Sequence, residues 1–203
     1  IGTELGARKT IFEEAEGNAQ IVDISAFIER EAITVICSKM GWIRSLKGHN
    51  LDLSGVKYKD GDSQSYVVET YTTDNILVCS TAGKFFTILA DNIARRKGHG
   101  ESIRLMLDIE NHDVVNIFVY KKGQKLLLAS NNGKGFIVSS DDLVASTKGG
   151  KQILNLIKDN KCVVCTPVEG DMVAVIGTNR KLIVFGIDEL PEMKRGQGVI
   201  LQK

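Results

Sequence analysis

After residue 32 the apolar positions come in short runs rich in Val, Ile, Leu and Phe, each interrupted by a few polar or glycine residues, and helical periodicity is nearly absent. Runs of this length between turn-forming residues predict β-strands joined by tight turns. Three stretches follow one plan: ILVCSTAGKFFTILADNI (76–93), LLLASNNGKGFIVSSDDL (126–143) and VAVIGTNRKLIVFGIDEL (173–190). Each is an apolar run, a polar turn, Lys, a second apolar run, and an acidic residue followed two positions later by Ile or Leu. Gly83 and Gly133 are 50 residues apart, and Lys134 and Lys181 are 47 apart. An earlier stretch, TVICSKMGWIRSL (34–46), fits the same frame with Gly41 in the slot of Gly83. That alignment puts Trp42, the single tryptophan, in the slot of Lys84 and Lys134. Each copy predicts a hairpin.

Between the hairpins lie VKYKDGDSQSYVVET (56–70), IRLMLDIENHDVVNIFVY (103–120) and ILNLIKDNKCVVCTPV (153–168), each with two further strand candidates around a polar turn. Four strands per unit and a repeat of about 50 residues match the period of propeller blades. The expected fold is all-β: a propeller-like ring of four-stranded blades, about four to five of them. Residues 1–30 differ in character. Their ELGARKTIFEEAEGNAQ is polar and charged and reads as the end of a preceding element plus a linker, which leaves 31–203 for the ring domain.

At 203 residues and 43% hydrophobic, the chain is long enough to bury a core without disulfides or metal. No apolar run reaches membrane-spanning length, and IGTELGARKT lacks the apolar core of a signal peptide. Lys and Arg number 26 against 25 Asp and Glu, so the placement of charge, not its total, decides whether an anion is bound. The cations recur in one kind of place. SLKGHN (45–50), RRKGHG (95–100), STKGGK (146–151) and MKRGQG (193–198) each set cations beside glycine on a connector after a hairpin. Glycine there permits a positive-φ turn, or lets the backbone approach a phosphate that Lys or Arg neutralises. Connectors at equivalent positions of a closed repeat would share one rim and form a basic track, because phosphate neutralisation needs several cations at once. The candidates for that track are Arg44, Lys47, His49, Arg95, Arg96, Lys97, His99, Lys148, Lys151, Lys194 and Arg195. His49 and His99 take equivalent connector slots in this alignment, and Lys84 and Lys134, in the hairpin turns, rank below the connector cations.

Catalytic patterns are missing from the sequence. It holds no G-x-x-x-x-G-K-[ST] and no G-x-S-x-G, and GHGESI lacks the third glycine and the preceding strand of a dinucleotide site. No Cys or acid stands at nucleophile or metal spacing from His49, His99 or His112. Asp60 and Asp62, in KDGD, read as turn formers. Cys37, Cys79 and Cys162 sit in apolar runs and read as small core residues. Cys162 and Cys165 form a C-x-x-C, but residues three apart on a strand point to opposite faces. Their thiols are therefore expected to diverge, and neither redox nor zinc chemistry is expected. A reducing cytoplasm is the expected compartment.

At this point the residues resemble a known family. EREAITVICSKMGWIRSLKGHNLDLSGVKYKDGDS (29–63) resembles the first blade of the C-terminal domain of ParC, the A subunit of bacterial DNA topoisomerase IV. The resemblance continues through KLLLASNNGKGFIVSSDDLVASTKGGKQILNL (125–156) and KLIVFGIDELPEMKRGQGV (181–199), and covers essentially everything from residue 29 onward. It implies a β-pinwheel, a propeller-like ring whose blades exchange a hairpin with their neighbours, and sequence-independent binding of double-stranded DNA with modest bending. It implies an ATP-dependent type II topoisomerase as the parent enzyme, with no catalytic residue, metal or cofactor in this chain. ATP and Mg are then expected in the holoenzyme, with the B subunit (ParE) as partner through an N-terminal core and no membrane association. ELGARKT resembles the end of that core. Members of the family usually continue into a fifth blade. On this reading Trp42 packs in or beside the first blade and the cations around it face DNA.

The related gyrase A protein carries a box of the form QRRGGKG on its first blade. The corresponding RSLKGHNLDL keeps one Lys-Gly and lacks the run of arginines, which favours topoisomerase IV over gyrase. Two alternatives stay open: the DNA-wrapping domain of a gyrase A protein, and a propeller that binds a protein partner. Cations at every inter-blade turn favour DNA over a peptide.

Overall fold

The computed structural model describes residues 28–93 and 98–202; the segment 1–27, read above as a preceding element and linker, lies outside the described residues. Among the described residues four hairpins follow one another. They are β1 (Ala32–Ser38) with β2 (Trp42–Lys47), β4 (Asn75–Ser80) with β5 (Lys84–Leu89), β8 (Lys125–Ser130) with β9 (Lys134–Ser139), and β12 (Met172–Ile176) with β13 (Leu182–Gly186). After the first three come single strands, β3 (Gln64–Tyr71), β7 (Val114–Val119) and β11 (Cys162–Pro167). Three two-residue strands complete the set: β6 (Glu101–Ser102), β10 (Lys151–Gln152) and β14 (Val199–Ile200). Two single-turn helices, α1 (Ile103–Met106) and α2 (Ser140–Leu143), interrupt the connections.

The hairpin frame read from the sequence is the one that forms. The amides of Gly41, Gly83 and Gly133 donate to the carbonyls of Ser38, Ser80 and Ser130 at 3.0, 2.9 and 2.9 Å. Those buried serines close the turn a second time. Ser80 and Ser130 donate their hydroxyls to the carbonyls of Lys84 and Lys134, and Ser38 Oγ accepts from the amide of Trp42. Trp42, Lys84 and Lys134 accordingly each open the second strand of their hairpin.

The sheets assemble by exchange between repeats. The orders are β3-β1-β2-β6, β10-β5-β4-β7 and β11-β8-β9-β14, with β12-β13 as a two-stranded sheet among the described residues. Each complete blade therefore takes a hairpin and a single strand from its own repeat and a two-residue strand from the next. β6 follows the second hairpin yet pairs with the first, through Trp42↔Ser102 and Ile43↔Glu101. β10 and β14 repeat that pairing one blade and two blades further on. The piece handed over is thus a short strand and not a hairpin. A buried Ile or Leu locks each one: the amides of Ile103, Ile153 and Leu201 donate to the carbonyls of Gly41, Gly83 and Gly133.

Blades stack face to face, so both faces of a central strand are buried. In β4, Ile76 and Val78 join the core shared with the first blade (Ile33, Val35, Cys37, Ile43), and Leu77 and Cys79 join the core shared with the third (Leu126, Leu128, Phe136). Burial on both sides explains the continuous apolar runs where a half-buried strand would alternate. A third core joins Ala129 and Ile137 to Val173, Leu190 and Leu201. On the other face of β12–β13, Met172, Ile176, Leu182 and Val184 are exposed.

One expectation fails. Cys162 and Cys165 do not diverge, because the register shifts between Cys162 and Val164 where β11 pairs with β8. A bulge of this kind adds one residue and reverses the alternation. Both thiols enter the core that holds Cys79, and Cys162 Sγ lies 3.9 Å from Cys79 Sγ. All four cysteines are free and buried, as small core residues should be. Burial, with the nearby Asp62 carboxylate, pushes the Cys37 thiol up to about 12.

The exchange also fixes three glycines. Gly100, Gly150 and Gly198 each precede a two-residue strand, with φ of 89°, 70° and 77°. A Cβ at these positions would stand 2.3, 2.7 and 2.3 Å from the carbonyl oxygens of Ile43, Phe85 and Gly135. The left-handed conformation costs an L-residue about 1–2 kcal/mol, and overlap in a packed site adds about 1–3 kcal/mol. Gly100→Ala should therefore lower unfolding stability by about 3 kcal/mol. Gly123→Ala has a similar φ of 71° but no atom within 4 Å, and should cost only about 1 kcal/mol. Denaturant midpoints of the two variants check this, and equal losses would contradict it.

Candidate nucleic-acid interface

The strands β3, β7 and β11 of successive blades pack on one another, which puts them toward the centre of the arc. The two-residue strands form the opposite edge of each sheet, so the connectors that lead into them lie on the perimeter. This is the rim that the sequence assigns to cations.

Three of the four connectors are equivalent. In 95–100, 146–151 and 193–198 the last glycine or the residue after it enters an exchanged strand. The fourth, SLKGHN (45–50), is a different piece of structure. Lys47 is the last residue of β2, opposite Ile33, and Gly48 donates its amide to Ala32 and accepts from Thr34 Oγ1 at 2.7 Å. His49 and His99 are consequently not in equivalent slots. The glycines of the true connectors do approach a backbone closely, but it is the backbone of the preceding blade.

The candidate cations of the first repeat, Arg44, Lys47 and His49, are engaged within the protein. Lys47 Nζ pairs with Glu31 at 2.8 Å, and its ammonium is held protonated by that hydrogen bond and charge. His49 Nε2 contacts the Thr70 carbonyl at 2.8 Å, and its ring meets Tyr71 edge-on at 5.2 Å, while the Arg30 guanidinium lies over the Tyr71 ring at 4.0 Å. Together with Thr72, whose hydroxyl donates to Glu29 and accepts from Glu31, these residues fasten the incoming segment to the first blade. Arg44, half-buried opposite Ile36, donates to the carbonyls of Gly98 and Lys57 and so ties Gly98 to the 48–63 loop. Trp42 is half-buried, with Lys59 Nζ 3.2 Å from its ring centre, a cation–π contact that occupies one face of the indole.

The later connectors present their cations differently. Arg95, Arg96 and Lys97 lie outside the described residues; His99, beside them, is exposed. Lys148 is exposed on the next connector. Lys151 Nζ donates to the Asp142 carbonyl at 2.6 Å, and Lys194 Nζ stands 3.9 Å from Asp142 Oδ1. Arg195 Nε donates to Asn155 Oδ1 at 3.2 Å. Backbone bonds from Gly196 to Ile153 and from Asn155 to Gly196 join these two connectors, so Lys151, Lys194 and Arg195 meet on one stretch of rim. Sequence reasoning missed Asp142 and Asn155, the polar groups that hold them. Lys84 is 3.8 Å from Glu110, and Lys134 donates to Gln197 at 3.4 Å, which leaves both hairpin lysines internally engaged.

Among the described residues nothing resembles a nucleophilic centre. Tyr58 and Tyr120 donate their hydroxyls to Gln64 and Asp141, and Tyr66 donates to the Val114 and Val115 carbonyls. Burial raises the Tyr66 phenol, and the bond to Asp141 raises that of Tyr120 while lowering the Asp141 carboxyl, so neither phenol is activated. Asp62 accepts from the amides of Met40 and Ser63, the turn-forming role read for it. Burial would raise its carboxyl, but hydrogen bonds from Ser38, Met40 and Ser63 outweigh that and lower it. Among the described residues no group of three or more His, Cys, Asp or Glu could hold a metal ion, and no helix is long and apolar enough to cross a membrane.

The family described as DNA gyrase C-terminal domain, beta-propeller, matches residues 74–121, 124–168 and 171–203, more than half of the chain. The chain belongs to that family. It is 60% identical over 203 residues to the A subunit of DNA topoisomerase 4 from Rickettsia conorii, covering all of this chain and 28% of that protein. The E. coli ParC C-terminal domain superimposes with a TM-score of 0.74 at 29% identity, covering 83% of this chain and 70% of that structure. A C-terminal domain of DNA topoisomerase IV gives 0.75 at 16% identity, covering 85% and 57%, a likeness of fold alone. The pinwheel and the kinship with ParC are thus as the sequence indicated, and the chain corresponds to the C-terminal domain of proteins of that kind.

Proposed function

We propose that the chain binds duplex DNA without reading its sequence, along the outer edge of the pinwheel, and bends it modestly. The observation that carries this reading is the placement of Lys148, Lys151, Lys194 and Arg195 on consecutive exchange connectors, cross-linked to one another and facing outward. Phosphate contacts from flexible cations position a duplex and carry no base information. His99 is exposed on the preceding connector, next in sequence to Arg95, Arg96 and Lys97, and Arg44 bonds Gly98 there. Lys47 and His49 contribute through the first blade's attachment and not through phosphate.

The chain spans about 28% of the length of the curated relatives it matches. Their shared name supports a wider reading. The parent protein is an ATP-dependent type II topoisomerase acting in the cytoplasm, and this domain presents a DNA segment to its cleavage core. ATP and Mg would be handled outside this chain, and the B subunit (ParE) would be met through the N-terminal core.

A salt titration tests the binding. Each phosphate contact adds about 0.9 to the slope of log K against log salt. Replacing Lys148, Lys194 and Arg195 with Gln should flatten the slope by roughly two to three, and replacing Arg95, Arg96 and Lys97 by roughly one to three, with no change in sequence preference. Lys47→Gln should leave the slope unaltered. Unchanged slopes in both triple variants would mean that the track is misplaced.

Bending of 40–90° over 20–30 base pairs costs ~1–6 kcal/mol, which a rim can offset only where cations continue. Here SLKGHN is no exchange connector, so the track is confined to three consecutive connectors and is short. Plasmid circles sealed by ligase with the chain bound should keep a nearly unchanged linking number. A large, uniformly positive shift would indicate a full wrap and a gyrase-like role.

A further inference from the structure

Within the basic stretch of rim stands a carboxylate. Asp142 lies in α2, directly after β9, and its main-chain carbonyl already holds Lys151. Its side chain is 28% exposed, whereas that of Lys194, 3.9 Å away, is 87% exposed. The turn therefore fixes the carboxylate, with the buried Leu143 on one side and Asp141 on the other, bonded to Tyr120 and Gly123. The lysine is the partner free to leave.

The turn itself does not need that charge. At the corresponding position after β5 stands Asn92, in a single turn that leads likewise into a buried residue, Ile93. Asn92 shows that the turn forms without an acid at this slot; the fourth repeat has one, Glu189, and there the carboxylate accepts from the Gly186 amide, whereas that of Asp142 faces Lys194.

We propose that Asp142 is a positioning residue of the DNA interface: it competes with phosphate for Lys194 and holds the affinity of this part of the rim below what its cations alone would give. The inference rests on the DNA-binding reading above. An exposed ion pair at this separation is weak, so a phosphate can displace it. Displacement still forfeits the pair and brings a phosphate up to a fixed negative charge. A duplex that is to be passed on must also be released, and a carboxylate inside the track limits its hold without removing any cation.

The test is a duplex titration with the 203-residue chain as wild type, Asp142→Asn, Lys194→Gln and the double variant, between 50 and 200 mM salt. Asp142→Asn should bind about three- to tenfold tighter at the lowest salt, with a slope steeper by up to about 0.9. In the Lys194→Gln background the gain should shrink by at least about half. Asp142→Glu should behave as wild type, Asp142→Ser should follow Asp142→Asn, and thermal midpoints should not move. Binding by Asp142→Asn no tighter than wild type, or a gain of equal size with and without Lys194, would overturn the proposal while leaving DNA binding intact. Absence of salt-dependent binding in the wild type would overturn the DNA reading itself, and this inference with it.

Discussion

The structure depends on the pairing of a two-residue strand with the blade before its own. Without β6, β10 and β14, each sheet would end on an exposed second hairpin strand, and neighbouring blades would be joined only through their apolar faces. The pairing is short, so its geometry is strict. A glycine in a left-handed turn touches a carbonyl of the previous blade, two residues form ladder bonds, and a buried Ile or Leu ends the run. Gly100, Gly150 and Gly198 mark the joint because no side chain fits between two backbones at that distance.

The same joint decides where charge can go. The residues just before it cross from one blade to the next at the perimeter, too exposed to be apolar and too confined on the glycine side to carry bulk. Lysine and arginine suit that place, with the stem along the surface and the head in water. The proposed function is thus built on the connection that the architecture already requires. Near-zero net charge is no obstacle, because the acids occupy other places: Glu31 fastens the first blade, and Asp62 and Asp141 brace turns. Asp142 is the exception, and it sits where a carboxylate would tune the rim.

Much of this was legible in the sequence, and the failures have physical causes. The hairpins, the turn glycines, the slot of Trp42 and the burial of the cysteines follow from run length and turn chemistry, which are local. The bulge in β11 is not local: it arises where Cys162 to Pro167 must match β8, and no residue announces it. Equating SLKGHN with RRKGHG failed because the same short string serves two geometries. Spacing carried the missing signal. Gly48 follows its hairpin glycine, Gly41, by 7 residues, whereas Gly98 follows Gly83 by 15. The motif that does recur is a glycine three residues before a buried Ile or Leu, and it points to the exchange and not to phosphate.

Amine footprinting in the presence and absence of duplex DNA tests the central claim most directly, since it reads which lysines face the bound molecule. The account predicts that duplex protects Lys148, Lys151 and Lys194 from acetylation and leaves Lys47, Lys84 and Lys161, an exposed residue just before β11, at their unbound rates. Protection centred on Lys84 and Lys161, with the connector lysines unchanged, would place the DNA on another surface and contradict it.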